Sequence, residues 1–249
     1  MRKIAILACL LFAAALTAAQ VSTSYHRRAG TASVAISLDT TLYSSNYGNT
    51  FPLITRVTFV PKAGSNKFLT VGIAGLANAN GYHVYIDTVK LIVAGTKLTR
   101  LDSSSYQAFR GSRVELWYTA NPASSRDTIG VYAHATSGTI WIHAGATVWQ
   151  GVHQTTPFGT SVRANGSTGG NPTVDVSSAT GDVVIDIAGV YFQDPMTATG
   201  TVLWNYTSNT NYPNAGQQYK AGATTVTMNW TSTSDPWATV GVALKRANP

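Results

Sequence analysis

The chain has 249 residues and a net charge of +7; 44% of its residues are hydrophobic and 11% charged, against roughly 25% charged in an average globular domain. It is long enough to bury a core without disulfide or metal staples. Apart from His26, Arg27 and Arg28 the basic residues are scattered. Without a Lys/Arg stripe interleaved with aromatics, this weighs against a nucleic-acid partner.

Residues 1–19 read as a secretory signal. Arg2 and Lys3 form the positive region, Ile4 to Leu16 the apolar run, and Thr17, Ala18 and Ala19 the small residues before cleavage. A rival reading is a lipoprotein site at Cys9, but the apolar run continues past it. The run is too short for a stable anchor, and no other stretch is apolar enough to span a bilayer. The expected product is therefore secreted, extracellular or held at the cell surface. Cys9 is the only cysteine. Cleavage would leave no thiol for disulfides, zinc or catalysis, and a net charge of +5 once Arg2 and Lys3 are gone.

Residues 20–31 form an extended N-terminal arm ahead of one β-sandwich domain over 32–249. Past the arm, short runs of β-branched and aromatic residues alternate with Gly, Pro, Asn and Ser, and helical periodicity is absent. The expected strands are 33–38, 56–60, 68–74, 83–86, 89–93, 114–118, 128–133, 139–149, 160–164, 173–176, 183–190, 201–206, 224–230 and 238–244. With no helical crossovers the sheets should be antiparallel, and the fold an all-β, two-sheet sandwich of jelly-roll type. No repeat of fixed period is visible.

One hairpin is expected at Ser137-Gly138. Its register sets His134 opposite Trp141 and Tyr132 opposite His143, all on one outer face, with Val131, Ala133, Ile140 and Ile142 toward the core.

Four segments, "VELWYTANPAS", "GVHQTTPFGTS", "PTVDVSSATGDVVIDIAGV" and "TVTMNWTSTSDPWATVGVALK", resemble a β-sandwich module of secreted, adhesin-like surface proteins of bacteria and archaea. The resemblance covers about residues 32–246. It implies a structural or binding module and transfers no catalytic residue.

Glu115, the only glutamate, shares a strand face with Arg113 and Trp117 and has no second carboxylate near it in sequence, as glycoside hydrolysis requires. A structural pairing is expected, with an assisted Lys–Asn crosslink as the rarer option. His26, His83, His134, His143 and His153 show no three-ligand spacing, so no metal is expected. Asp182 and Asp186 share a strand face but lack the oxygen-rich loop that calcium needs. Phosphate-loop and dinucleotide glycine patterns are absent, and no cofactor is expected. Asn165, Asn205 and Asn229 begin Asn-x-Ser/Thr sequons.

The leading expectation is a non-enzymatic secreted subunit that associates with copies of itself, as an extracellular filament or surface layer. Val21, Ser22, Thr23, Ser24 and Tyr25 are the donor arm, and Tyr132, His134, Trp141 and His143 a contact surface. An alternative is a carbohydrate-binding or adhesive module on surface glycans, using Trp204, Tyr206 and Tyr212. A secreted hydrolase is the second alternative.

Overall fold

The computed structural model describes residues 34–77, 83–106, 112–167, 170–191, 195–207, 214–232 and 236–247. These fall in one compact unit, Val34–Asn248. The described residues form sixteen strands and no helix.

The first eight are β1 (Ser37–Gly48), β2 (Leu53–Phe59), β3 (Phe68–Ala77), β4 (Val84–Leu91), β5 (Thr99–Tyr106), β6 (Ser112–Ala120), β7 (Asp127–Ala135) and β8 (Ile140–Gln150). The second eight are β9 (Val162–Gly166), β10 (Thr173–Ser177), β11 (Val183–Val190), β12 (Thr197–Ala198), β13 (Thr201–Tyr206), β14 (Asn214–Ala221), β15 (Thr225–Thr231) and β16 (Trp237–Leu244). Strands with one wet face alternate as the pleat requires. In β15, Val226, Met228 and Trp230 are buried, while Thr225, Thr227 and Thr231 are exposed.

The strands form four sheets, and every pairing is antiparallel. Strands β1–β8 make a five-stranded sheet ordered β1-β8-β3-β6-β5 and a three-stranded sheet ordered β2-β7-β4. Strands β9–β16 make β9-β16-β11-β14-β13 and β10-β15-β12. Adding eight to each number of the first pair gives the second. The two-sheet antiparallel sandwich occurs twice, on one strand order.

Apolar side chains set the layers. One row from β3 and β8 (Leu69, Val71, Ile73, Ile140, Ile142) packs with Val57, Phe59, Ile129 and Val131 of the first three-stranded sheet. The opposite row (Phe68, Ala74, Leu76, Trp149) packs with Ile185, Ile187, Val240 and Val242 of the second five-stranded sheet. Beyond it, Val184 and Ala243 pack on Val174, Val176, Val226 and Met228. The five-stranded sheets therefore lie face to face at the centre of four layers. This is why β3, β11 and β16 are buried along their whole length: they have no wet face.

The central contact is nearly two-fold. β1 lies against β13, its counterpart β9 lies against β5, and β3 meets its own counterpart β11. An isologous contact exchanges partners in this way. Here both partners belong to one chain.

The expected hairpin is corrected. β7 and β8 follow one another but belong to different sheets. Tyr132 pairs with Ile54 of β2 and His134 with Tyr85 of β4. Trp141 pairs with Tyr47 of β1 and His143 with Ser45. Gly138 takes the positive φ of 79° expected of it, but the turn carries the chain from one sheet to the other. The inward row is as read: Val131, Ala133, Ile140 and Ile142 are buried. Three strands lie where the sequence suggested loops, namely β5, β12 and β14, and β1 runs well past residue 38. The runs 83–86 and 89–93 are one strand, interrupted by a bulge between Ile86 and Thr88.

Candidate functional site

Glu115 sits on β6 with no solvent exposure. Arg113 donates from Nε to its Oε1 at 2.5 Å, and Trp117 donates from Nε1 to its Oε2 at 2.6 Å. Arg100 of the neighbouring β5 lies 3.6 Å from Oε1. Both carboxylate oxygens are thus held by donors of its own sheet. The strand alternation that puts residues 113, 115 and 117 on one face builds this cluster, as the sequence suggested.

The two aspartates of the "GDVVIDIAG" segment are not neighbours in function. Asp182 organises a turn: it accepts from the Ala179 and Arg246 amides at 3.1 and 3.0 Å. Asp186 is buried between the layers of the second half. It accepts from the Gln218 side chain at 3.0 Å, the Gln218 amide at 3.3 Å and Trp230 Nε1 at 2.9 Å. Burial pushes its pKa up from 3.8 to about 7, against the lowering effect of those bonds and of Lys220. Among the described residues, no group of three or more His, Cys, Asp and Glu is arranged to hold a metal ion.

The four-residue contact surface divides. Tyr132 and His134 lie on the outer face of the first three-stranded sheet. There His134 Nδ1 is 2.7 Å from Asp87, its ring stacks on Tyr85 at 4.9 Å, and Lys90 lies over Tyr132. His143 is buried, on the face of β8 turned to the second half. Trp141 lies on that same face of β8, one pleat away. The expected patch is thus two separate places.

The carbohydrate candidates are also relocated. Trp204 is only 5% exposed. It stacks on Tyr43 at 5.1 Å and donates from Nε1 to Gln217 Oε1 at 2.9 Å. Its indole overlies Gly145 of β8, where any Cβ would collide with the ring. Gln217 likewise rests on Gly72, 3.0 Å from where a Cβ would stand. Two glycines on one half receive a Trp and a Gln from the other, so Trp204 offers no open face for a sugar. Tyr206 stacks on His143 at 4.5 Å within the same seam. The Tyr43 hydroxyl lies 3.1 Å from His143 Nδ1. Burial raises the Tyr43 pKa to about 12, with a smaller push from Tyr206 and an opposing hydrogen bond from Ser45. Tyr212 lies outside the described residues.

Donor-arm residues Val21, Ser22, Thr23, Ser24 and Tyr25 lie outside the described residues as well. Edge strands that could receive such an arm are described, and most are guarded as edges usually are. β2 carries Arg56, β4 has Asp87 at its bulge and Lys90, β5 has Arg100 and Asp102 around a bulge, β9 has Arg163 and β10 has Asp175. β12 has two residues and β13 six, with a bulge. β1 differs. It has twelve residues, and its one charge, Asp39, sits at a bulge where the Lys62 amide donates to it at 2.8 Å. Residues 40–48 carry no charge and no proline. Leu38, Leu42 and Tyr47 stand 42%, 40% and 68% exposed there. Among the described residues β1 pairs with β8 alone; β2 runs close to it, and Asn46 donates from Nδ2 to the Ile54 carbonyl at 2.8 Å. Sequence reasoning missed this edge because Thr, Ser and Asn dominate residues 39–48 and read as a loop.

Sequon residues Asn165 and Asn205 are exposed on β9 and β13, and Asn229 is half-buried on β15. No helix among the described residues is long and apolar enough to cross a membrane. A scan against family models finds no match to the chain, and neither does a search of curated proteins.

Proposed function

We propose that the protein is a secreted, non-catalytic building block that associates with copies of itself by lending its N-terminal arm to a neighbour's sheet edge, forming an extracellular filament or layer. The observation that carries this reading is the β1 edge, uncharged past its bulge and, among the described residues, with no ladder partner on its outer side; natural β proteins seldom leave such an edge open. The dispersal of reactive groups supports it. Glu115, Asp186 and the His134–Asp87 pair lie in different layers, and each is engaged by neighbouring side chains. The strand order β1-β8-β3-β6 over β2-β7-β4 supports a jelly-roll reading of each half. The likeness to adhesin-like surface modules rests on the four quoted segments. Electron microscopy of the secreted protein tests the proposal: polymers support it, and monodisperse single particles at every concentration refute it.

A second reading, adhesion to glycans, is favoured by one feature: the exposed Tyr85–His134 stack with Asp87 beside it. Flat rings next to hydrogen-bonding groups suit a sugar ring. Glycan-array binding that disappears in Tyr85→Ala would support it.

A further inference from the structure

Resting on the strand-donation reading above, we propose that the acceptor is the free edge of β1, and that the N-terminal segment 20–31 of a second copy adds to it as a sixth strand of that sheet.

The accounting of backbone groups comes first. An edge strand leaves every second N–H and C=O pointing outward, and an extended segment satisfies them by pairing. Among the described residues, seven of the eight edge strands are short, bulged or charged; β1 alone of these runs nine residues past its bulge without a charge. Its length also fits. Segment 20–31 has twelve residues, as does β1, and at roughly 3.3 Å per residue the two span the same distance.

The added strand is supplied by a second copy, and the chain enters β1 beside the end of β8. The ladder of β1 with β8 ends at Ser37 and Gln150. Val34 and Ala35 continue past it and lie against Gly151, close enough that a Cβ there would meet the Ala35 carbonyl oxygen at 2.5 Å. The arm of another copy can fill this edge. That contact is head-to-tail, and it propagates into a filament where the rotation between copies does not close a ring.

The surroundings favour a strand with alternating side chains, which residues 21–25 offer ahead of the basic His26, Arg27 and Arg28. Leu42 stands beside the edge on one face. On the other face β13 lies over β1 and brings Tyr206 next to Tyr43. Paired as a strand, Val21, Thr23 and Tyr25 would share one row and Ser22 and Ser24 the other, the alternation that such an edge reads.

Cysteine crosslinking tests this directly, since the chain without its first nineteen residues has no thiol of its own. Thr23→Cys is combined in turn with Thr40→Cys, Leu42→Cys or Ser44→Cys on β1, and with Tyr85→Cys on the β4 edge as a control. The expected result is an oxidised ladder of covalent multimers from at least one β1 pairing and none from the β4 pairing. Leu42→Lys/Tyr47→Lys, which alters only exposed side chains, should give a folded monomer by circular dichroism and sedimentation. Assembly that needs residues 20–31, yet survives Leu42→Lys/Tyr47→Lys and gives no β1 crosslink, overturns the acceptor and leaves the donation reading standing. Wild-type protein that never assembles overturns both.

Discussion

The indole of Trp204 rests on Gly145, a residue of the opposite half of the molecule, and leaves no room for a side chain there. The same indole donates to Gln217, which itself covers Gly72. The two halves are therefore keyed together by shape as well as by apolar burial. Gly145→Leu should cost about 1–3 kcal/mol or more, the usual toll of overpacking. Trp204→Ala should cost about 3–5 kcal/mol through the cavity it leaves. Urea unfolding followed by tryptophan fluorescence and circular dichroism measures both. A Gly145→Leu protein as stable as wild type would show that the seam is not packed as described.

Glu115 is predicted to act as a structural anion. Its removal in Glu115→Ala leaves Arg113 partly buried without its partner, and breaking a buried pair in this way costs about 3–5 kcal/mol. The solvent-exposed His134–Asp87 pair is the internal contrast: side-chain exposures of 43% and 41% place it among surface pairs worth about 0–1 kcal/mol. Denaturant midpoints of Glu115→Ala and His134→Ala should therefore differ widely. Equal midpoints would contradict the burial assigned to Glu115.

Asp186 predicts a pH dependence with a definite sign. Its folded pKa, about 7, lies above the ordinary 3.8. The folded state thus holds a proton that the unfolded chain releases, and stability is favoured by protonation. This contribution is complete below the unfolded value and is lost as pH rises through the folded one. Relative to Asp186→Asn, the wild-type protein should lose stability between about pH 4 and pH 7. Thermal melts of both proteins across that range check it. Parallel curves would mean that Asp186 is not desolvated.

How much of this was legible in the sequence depended on side-chain type. Strands with apolar alternation, such as β15, and with continuous apolar runs, such as β3 and β16, declared themselves. β14 did not. Its "NAGQQYKA" segment looks like a polar loop, yet Gln217 and Gln218 are fully buried, one amide answering Trp204 and the other Asp186. Partners that justify a buried amide are remote in sequence, so no local pattern reveals them. β5, "TRLDSSSY", was hidden for a related reason: Arg100 reaches Glu115 on the neighbouring strand.

The doubling of the strand order was equally invisible. "IAG" occurs in the third strand of each half, as Ile73-Ala74-Gly75 and Ile187-Ala188-Gly189. Ile73 faces its own three-stranded sheet, however, and Ile187 faces the other half. A match that points opposite ways is coincidence, and the repeat lies in the topology alone. The Arg113, Glu115 and Trp117 part of the Glu115 cluster is legible because these residues are two apart on one strand, whereas Arg100 comes from the neighbouring strand. The Tyr132/His134/Trp141/His143 surface is not legible, because the turn between β7 and β8 joins two sheets and its sequence neighbours are not sheet neighbours.

The most direct measurement of the central claim is sedimentation velocity on the protein beginning at residue 20, alongside the same protein lacking residues 20–31. Strand donation predicts large, concentration-dependent species from the first and a single monomer boundary from the second. Identical monomer boundaries from both, across the whole concentration range, would contradict it.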